Sequence, residues 1–193
     1  QNQEHSSIKL FDIYDVSEIT IKDPALKNFI NLKPKLLLKS YGRNVSRFAK
    51  MKVNILERLA NRLGTSGHLG KKHRIITSGS SGKYNKNMGI VLEALHIIQE
   101  KIKQNPMQVL VSAIENGSPR DEITVIEHAG ARYPQAVDCA PARRVDLALR
   151  WMVQGSHQKS FGKKKKMAQA LAEEIMKAAE QNMESYAMST KNE

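Results

Sequence analysis

The sequence predicts a mainly α-helical fold: a helical body of about five to six helices, one protruding two-stranded β-hairpin and an irregular N-terminal extension. Three observations carry this. Apolar residues recur at helical spacing in several segments beyond residue 52. A single stretch, residues 122–138, changes to a β-branched pattern. The first fifty residues keep neither period and are punctuated by Asp23-Pro24 and Lys33-Pro34. The expected division is an extension over residues 1–50 and one helical domain over residues 51–193.

Within the extension, short apolar patches at Ile19 and Ile21 and at Leu36, Leu37 and Leu38 suggest chain laid over a surface. From Lys52 onward, Val53, Leu56, Ala60 and Leu63 mark one helix face, and Gly64 is a natural stop. Arg58 and Arg62 lie four apart on another face of that helix. Residues 64–89 are rich in glycine and basic side chains, a long connection of the kind that is usually functional or disordered. A second helix is expected from Asn87 to Lys103, with Val91, Leu95, Ile98 and Ile102 as its stripe. Asn105-Pro106 opens a third, because proline suits a first helical turn. Val109, Leu110, Ala113 and Ile114 form its buried face, and Asn116-Gly117 closes it.

Residues 122–128 and 132–138 read as the strands of a hairpin, with Ala129, Gly130 and Ala131 between them. Pro134 cannot donate to a ladder, so its strand needs a free edge or a bulge there. Helices resume at Pro141, with Val145, Ala148, Leu149, Met152 and Val153 as a stripe and Gly155 as the expected end. The last helix carries Met167, Leu171, Ile175 and Ala178 on its inner face.

Charge narrows the function. The 193 residues hold 31 Lys and Arg against 19 Asp and Glu, a formal net charge of +12. Residues 33–86 contain 14 basic groups and one acid, Glu57, while residues 139–166 contain eight and one. A solubility device would interleave the signs; blocks of one sign create a field suited to a polyphosphate. No stretch approaches the ~20 consecutive apolar residues of a membrane helix. Residues 1–8 show no basic region followed by an apolar block, so a secretory signal is not expected. The one cysteine, Cys139, excludes an internal disulfide and cannot build a zinc site by itself. A soluble intracellular protein with an anionic partner and no cofactor or metal is expected.

Catalytic chemistry finds little support. A phosphate-binding loop needs four residues between its glycines, then Lys and Ser or Thr, after a strand. Gly64 and Gly70 are separated by five residues, and the element ahead of them is a helix. Glu173-Glu174 and Asp121-Glu122 are adjacent pairs whose members point to different faces. His96 reads as a partly buried, satisfied side chain, and Cys139 as a small core residue with no base beside it. Binding chemistry fares better. Arg43, Arg47 and Lys50 share a face if their segment is helical, and Lys52 follows them. Lys71, Lys72, Arg74, Lys83 and Lys86 continue the first basic block. Tyr41, Phe48, Tyr84, Tyr133 and Trp151 lie among the cations as candidates for stacking on unpaired bases, each read first as packing. RNA is favoured over DNA, since neither a helix-turn-helix nor a zinc module is evident.

The order of motifs adds a family. Residues 53–63, Gly70-Lys71-Lys72 and Asn105-Pro106-Met107-Gln108-Val109-Leu110-Val111 come first. Ala113-Ile114-Glu115-Asn116, Pro119-Arg120-Asp121-Glu122 and Gly130-Ala131-Arg132-Tyr133-Pro134-Gln135-Ala136-Val137-Asp138 follow. Pro141-Ala142-Arg143-Arg144, Ala148-Leu149-Arg150-Trp151 and residues 168–175 complete the set. Together they resemble the universal small-subunit ribosomal protein seven family, whose eukaryotic members are numbered five. Leu10-Phe11-Asp12, Lys22-Asp23-Pro24-Ala25-Leu26 and Asn31-Leu32-Lys33-Pro34 are similar to the extended N-terminus of its archaeal type.

The resemblance implies a cytoplasmic, non-catalytic constituent of the small ribosomal subunit that binds the 3′ major domain of the rRNA and nucleates assembly of the subunit head. It implies neighbouring small-subunit proteins as partners, and a hairpin at the subunit interface near the exit-site tRNA and the mRNA. By resemblance, rRNA contact falls on Lys71, Lys72, Arg143, Arg144, Arg150, Lys163, Lys164, Lys165 and Lys166, and the hairpin match on Gly130, Arg132 and Tyr133. The family usually continues past Ser185-Tyr186-Ala187 with a further charged helix, whereas this sequence ends at Glu193. Two rival classes are an RNA-modifying enzyme, which would need Glu115, Asp121 or His128 to converge in a cleft, and a DNA-compacting basic protein.

Overall fold

The computed structural model describes residues 9–42, 45–66 and 82–193. Among these, six helices and one hairpin run in the order α1 (Ile55–Leu63), α2 (Tyr84–Ile102), α3 (Pro106–Gly117), β1 (Asp121–His128), β2 (Ala131–Asp138), α4 (Pro141–Ser160), α5 (Met167–Ala179) and α6 (Tyr186–Asn192). The protein is mainly helical, with the hairpin and the irregular N-terminal segment that the sequence predicts.

Helix α5 is the centre, packing against α2, α3 and α4. Its buried residues are Ala168, Ala170, Leu171, Ala172, Glu174, Ile175 and Ala178, more than the single stripe that the sequence suggests. Alanines dominate because three neighbouring helices must approach one axis closely. Around it, Leu56 and Leu59 of α1, Leu95 and Ile98 of α2, Leu110 and Ile114 of α3, and Leu149 and Met152 of α4 close an aliphatic core.

Helix starts follow from local chemistry. The Asn54 side chain accepts the Leu56 amide at 3.0 Å, so α1 begins after a short 3-10 turn (Ala49–Lys52) rather than at Lys52. Asn105 caps α3 in the same way through the Met107 amide, with Pro106 at its first position. Helix α2 starts at Tyr84, ahead of the expected Asn87, where the Tyr84 hydroxyl donates to the Leu38 carbonyl.

The N-terminal segment is irregular but pinned. Leu10, Leu26 and Leu38 are fully enclosed in the common core. Three polar side chains on or beside α3 hold its backbone. Asn105 donates to the Asp15 carbonyl at 2.7 Å, Gln108 both donates to and accepts from Thr20, and Glu115 accepts the Asp23 amide at 2.9 Å. Backbone groups that no sheet ladder satisfies find partners here.

The hairpin is regular. Its strands pair from Asp121↔Asp138 to His128↔Ala131 without a bulge, so Ala131 belongs to β2 and the turn is only Ala129-Gly130. Both turn residues have positive φ, 50° and 80°, matching the twist that a two-residue hairpin needs. Pairs alternate outward from a hydrogen-bonded His128↔Ala131, which puts Val125↔Pro134 on a non-hydrogen-bonded position. Pro134 therefore sacrifices no ladder bond, and the free-edge option is the one realised.

Three sequence expectations need correction. Gly155 does not end its helix; α4 runs on to Ser160 because Gly155 is where α5 and α6 press against it. His96 is exposed, not partly buried, and pairs with Glu100 at 3.3 Å one turn away. Arg47 and Lys50 do not share a helix face, because Phe48 between them takes a left-handed backbone (φ 64°) and only the short turn follows.

Gly89 and Gly155 make a paired test. A Cβ at Gly89 meets nothing within 4 Å, whereas one at Gly155 falls 2.6 Å from Tyr186 Cβ and 3.0 Å from the Glu174 carboxylate. Gly89→Ala should raise stability by about 0.5–1 kcal/mol through helix propensity. Gly155→Ala should lower it by about 1–3 kcal/mol through overpacking. Urea unfolding reads both; a stabilising Gly155→Ala would mean that α6 does not dock against α4.

Candidate nucleic-acid interface

The seam between α1 and α4 joins the two basic blocks. Asp146 on α4 accepts from Arg58 of α1 and from Lys50 of the preceding turn, each at 2.9 Å. The Arg58 side chain is only 2% exposed and also donates to the Phe29 carbonyl at 2.8 Å. Burial pushes the Asp146 carboxyl up, but the bonds from Lys50 and Arg58 outweigh it and hold the group below the usual carboxylate range. One turn further along both helices stand Arg62 and Arg150, lining the same cavity of about 420 Å³. Sequence reading picked out Lys50 and Arg150 and noted the Arg58, Arg62 spacing, but did not connect them. The signal was available: Asp146 and Arg150 show the same four-residue spacing on the facing helix.

Arg144 has a structural part that its sequence does not show. It is 7% exposed, and its guanidinium donates to the Pro119 carbonyl at 3.0 Å, to Ser118 at 3.3 Å and to Asp23 at 2.7 Å. It thereby fastens the N-terminal segment and the end of α3 to the start of α4. Its neighbour Arg143 forks onto both oxygens of Glu122 at 2.6 Å and anchors the root of the hairpin. Those bonds hold the Glu122 carboxyl below its ordinary value. Cys139 lies buried beside them, its thiol pushed up by burial and by Glu122, and its amide donates to the Arg120 carbonyl at 2.7 Å.

The remaining cations sit at the surface. Lys163, Lys164 and Lys166 are exposed in the connection between α4 and α5, while Lys165 pairs with Glu173. Beside that connection, the exposed Phe161 ring stacks on His157 with centroids 5.1 Å apart. Lys83 and Lys86 are exposed at the start of α2, and Arg47 lies against the exposed Phe48 ring. Lys52 lines a groove with Lys27, Lys33 and Lys35. Arg43, Lys71, Lys72 and Arg74 lie outside the described residues.

The hairpin presents a different surface. Arg132 faces Glu127 at 3.4 Å, Gly130 forms the tip, and Tyr133 is exposed opposite Ile126. On the face opposite Tyr133 and Ile126, the one that Arg132 and Glu127 share, Ile123, Val125, Pro134 and Ala136 form an exposed apolar strip. Trp151 and Tyr84 are packed against the core, whereas Tyr41 is exposed beneath the Lys39 ammonium.

Glu115, Asp121 and His128 do not converge. Glu115 is tied to the Asp23 amide, and Asp121 and His128 stand at opposite ends of β1, roughly 24 Å apart along a strand of that length. Among the described residues no group of three His, Cys, Asp or Glu could hold a metal ion, and no helix is long and apolar enough to cross a membrane.

Comparison with known proteins agrees with this geometry. The family described as Ribosomal protein S7p/S5e matches residues 27–193. The small ribosomal subunit protein uS7 of Nanoarchaeum equitans is 49% identical over 187 residues, covering 96% of this chain and 94% of that protein. The protein of the same name from Methanosphaera stadtmanae is 45% identical over 188 residues, covering 97% and 95%. That of Archaeoglobus fulgidus is 42% identical over 185 residues, covering 95% and 90%. With its helical body, its hairpin and this agreement along nearly its whole length, the chain belongs to the S7p/S5e family of ribosomal proteins.

Proposed function

We propose that the chain is a structural constituent of the small ribosomal subunit, acting in the cytoplasm as an rRNA-binding protein with no catalytic step of its own. The near full-length similarity to archaeal uS7 proteins is the observation that carries this reading. In detail, it binds the 3′ major domain of the small-subunit rRNA, nucleates the subunit head and lies among other small-subunit proteins. Residues 1–50 act as an extension strapped to the RNA-binding body of residues 51–193.

The contact set divides by what each cation already holds. Arg47, Lys52, Lys83, Lys86, Arg150, Lys163, Lys164 and Lys166 are exposed and supply phosphate contacts. Lys50, Arg143 and Lys165 face solvent while paired with acids, so they contribute field and are positioned by those partners. Arg144 shapes the surface from below. Arg43, Lys71, Lys72 and Arg74 join the contact set on charge and family resemblance. The hairpin reaches the exit-site tRNA and the mRNA through Gly130, Arg132 and Tyr133. Its strands carry Asp121, Glu122, Glu127 and Asp138 against Arg132, a poor composition for gripping phosphate.

Binding to a transcript of the rRNA head junction should be steeply salt-dependent. With ~6–10 phosphate contacts, affinity should fall ~10³–10⁵-fold between 50 and 200 mM salt, by the duplex-DNA slope. Replacing Lys163, Lys164 and Lys166 together with Gln should make the log–log salt slope shallower by about 2–3 and leave the melting temperature near that of the parent. Salt-independent affinity would contradict rRNA binding, and equal affinity for duplex DNA would favour the DNA-compacting alternative.

Shortening the hairpin separates anchoring from translation. Joining Thr124 to Gln135 through a two-residue Asn-Gly turn should leave the helical fold and junction affinity within about twofold, since a lone ribbon adds little core. Reconstituted subunits carrying it should show raised reading-frame errors. Loss of RNA binding in this variant, with binding retained in the lysine variant, would reverse the assignment.

A further inference from the structure

Helices α1 and α4 meet in a two-rung ladder of charge. Each contributes two charged residues one turn apart, Arg58 and Arg62 on α1 and Asp146 and Arg150 on α4. The first rung joins opposite charges, Arg58 to Asp146 at 2.9 Å. The second sets Arg62 near Arg150, like facing like across a shared cavity of about 420 Å³.

Among the described residues nothing compensates that second rung fully. The Arg62 Nε is buried and has no hydrogen-bond partner among the described residues. Asp146 acts on Arg62 from the neighbouring rung, but its oxygens are already held by Lys50 and Arg58. Burial and then the Arg150 charge push the Arg62 guanidinium below its ordinary value. Arg150 itself is exposed and forms no ion pair among the described residues. Two guanidiniums held together at a half-enclosed site repel, and an anion placed between them turns repulsion into attraction twice over.

The shape of the site selects the anion. Guanidinium forks match the paired oxygens of a phosphate, and Lys50, Asn61 and Thr65 line the same walls with further donors. The cavity is lined from both basic blocks and its Lys50 and Arg150 are exposed, so a polyanion can reach it. We infer that the cavity between α1 and α4 is a receptor for one backbone phosphate of the bound RNA, clasped by Arg62 and Arg150. This inference rests on the rRNA-binding reading and names one contact within it. Arg58 and Asp146 position the clasp without touching the phosphate.

The test uses the full chain with Arg62→Met, Arg150→Met and the double variant, which keep length and remove charge. Melting is followed in inorganic phosphate and in chloride at matched ionic strength, and binding to the head-junction transcript is followed against salt. Phosphate should raise the parent melting temperature beyond chloride, and the double variant should lose that increment. At low salt the variants should melt at or above the parent, since the like-charge rung is gone. Their RNA affinity should drop about tenfold or more, and the log–log salt slope should become shallower by about 0.7–0.9. An unchanged phosphate increment with an unchanged slope in the double variant would overturn the receptor. If the parent fails to bind the transcript while its phosphate increment depends on Arg62 and Arg150, the rRNA reading falls and the anion receptor stands.

Discussion

A chain of net charge +12 can gather its cations on one body only if something holds them against their own repulsion. Asp146 does this at the place where it matters most. It is the sole acid of residues 139–166, and it accepts from Lys50 and Arg58, which come from the other basic block. Burial raises its carboxyl and the two cations lower it further, so the joint is charged at neutral pH. Its stabilising contribution is present above the unfolded carboxylate value and is lost as pH falls through the lowered folded one. The sole acid of the first block, Glu57, is used similarly, accepting the Ser40 amide at 2.7 Å where the N-terminal segment crosses α1.

The acidic segments that flank the basic blocks supply further counter-charges. Asp23 holds Arg144, Glu122 holds Arg143, Glu173 holds Lys165 and Glu174 holds Lys159. Glu174 is fully buried and also accepts from the Ser185 hydroxyl and the Ala187 amide, so one carboxylate joins α4, α5 and the start of α6. The Asp23–Arg144 and Glu122–Arg143 pairs link segments distant in sequence, Glu174–Lys159 joins α5 to α4, and Glu173–Lys165 ties α5 to the connection before it. The cations that lack such partners are concentrated in exposed turns and helix starts, where a polyanion meets little desolvation cost.

Much of this was legible in the sequence. Asn105-Pro106, helical periodicity and Asn116-Gly117 placed α3 almost to the residue, and the change to β-branched residues placed the hairpin. Periodicity marked the inner face of α5 but read it as the last helix, whereas α6 follows it. Asn105-Pro106 worked because its chemistry is local: one side chain caps, one ring fits the first turn. Gly155 misled because its reason is tertiary; a glycine that admits a neighbouring helix looks the same in sequence as one that ends a helix. The structural part of Arg144 was hidden for a related cause. Its charge is visible in the sequence, but its three acceptors come from residues 23, 118 and 119, and no spacing rule joins those. Arg62 was visible as half of an i, i+4 pair, yet its importance appears only when α4 sets Arg150 beside it.

The central claim is that Asp146 holds the two basic blocks together, and thermal unfolding of Asp146→Asn at low and high chloride tests it most directly. The substitution keeps the shape and removes the charge, leaving the buried Arg58 with neutral acceptors only, the Phe29 carbonyl and the one amide oxygen at position 146. At low salt the variant should lose about 2–4 kcal/mol, the expected penalty for breaking a pair with one buried partner. Part of that loss should return at about 0.5 M chloride, as repulsion among Lys50, Arg58, Arg62 and Arg150 is screened. A variant as stable as the parent at low salt, with the same response to chloride, would contradict the account.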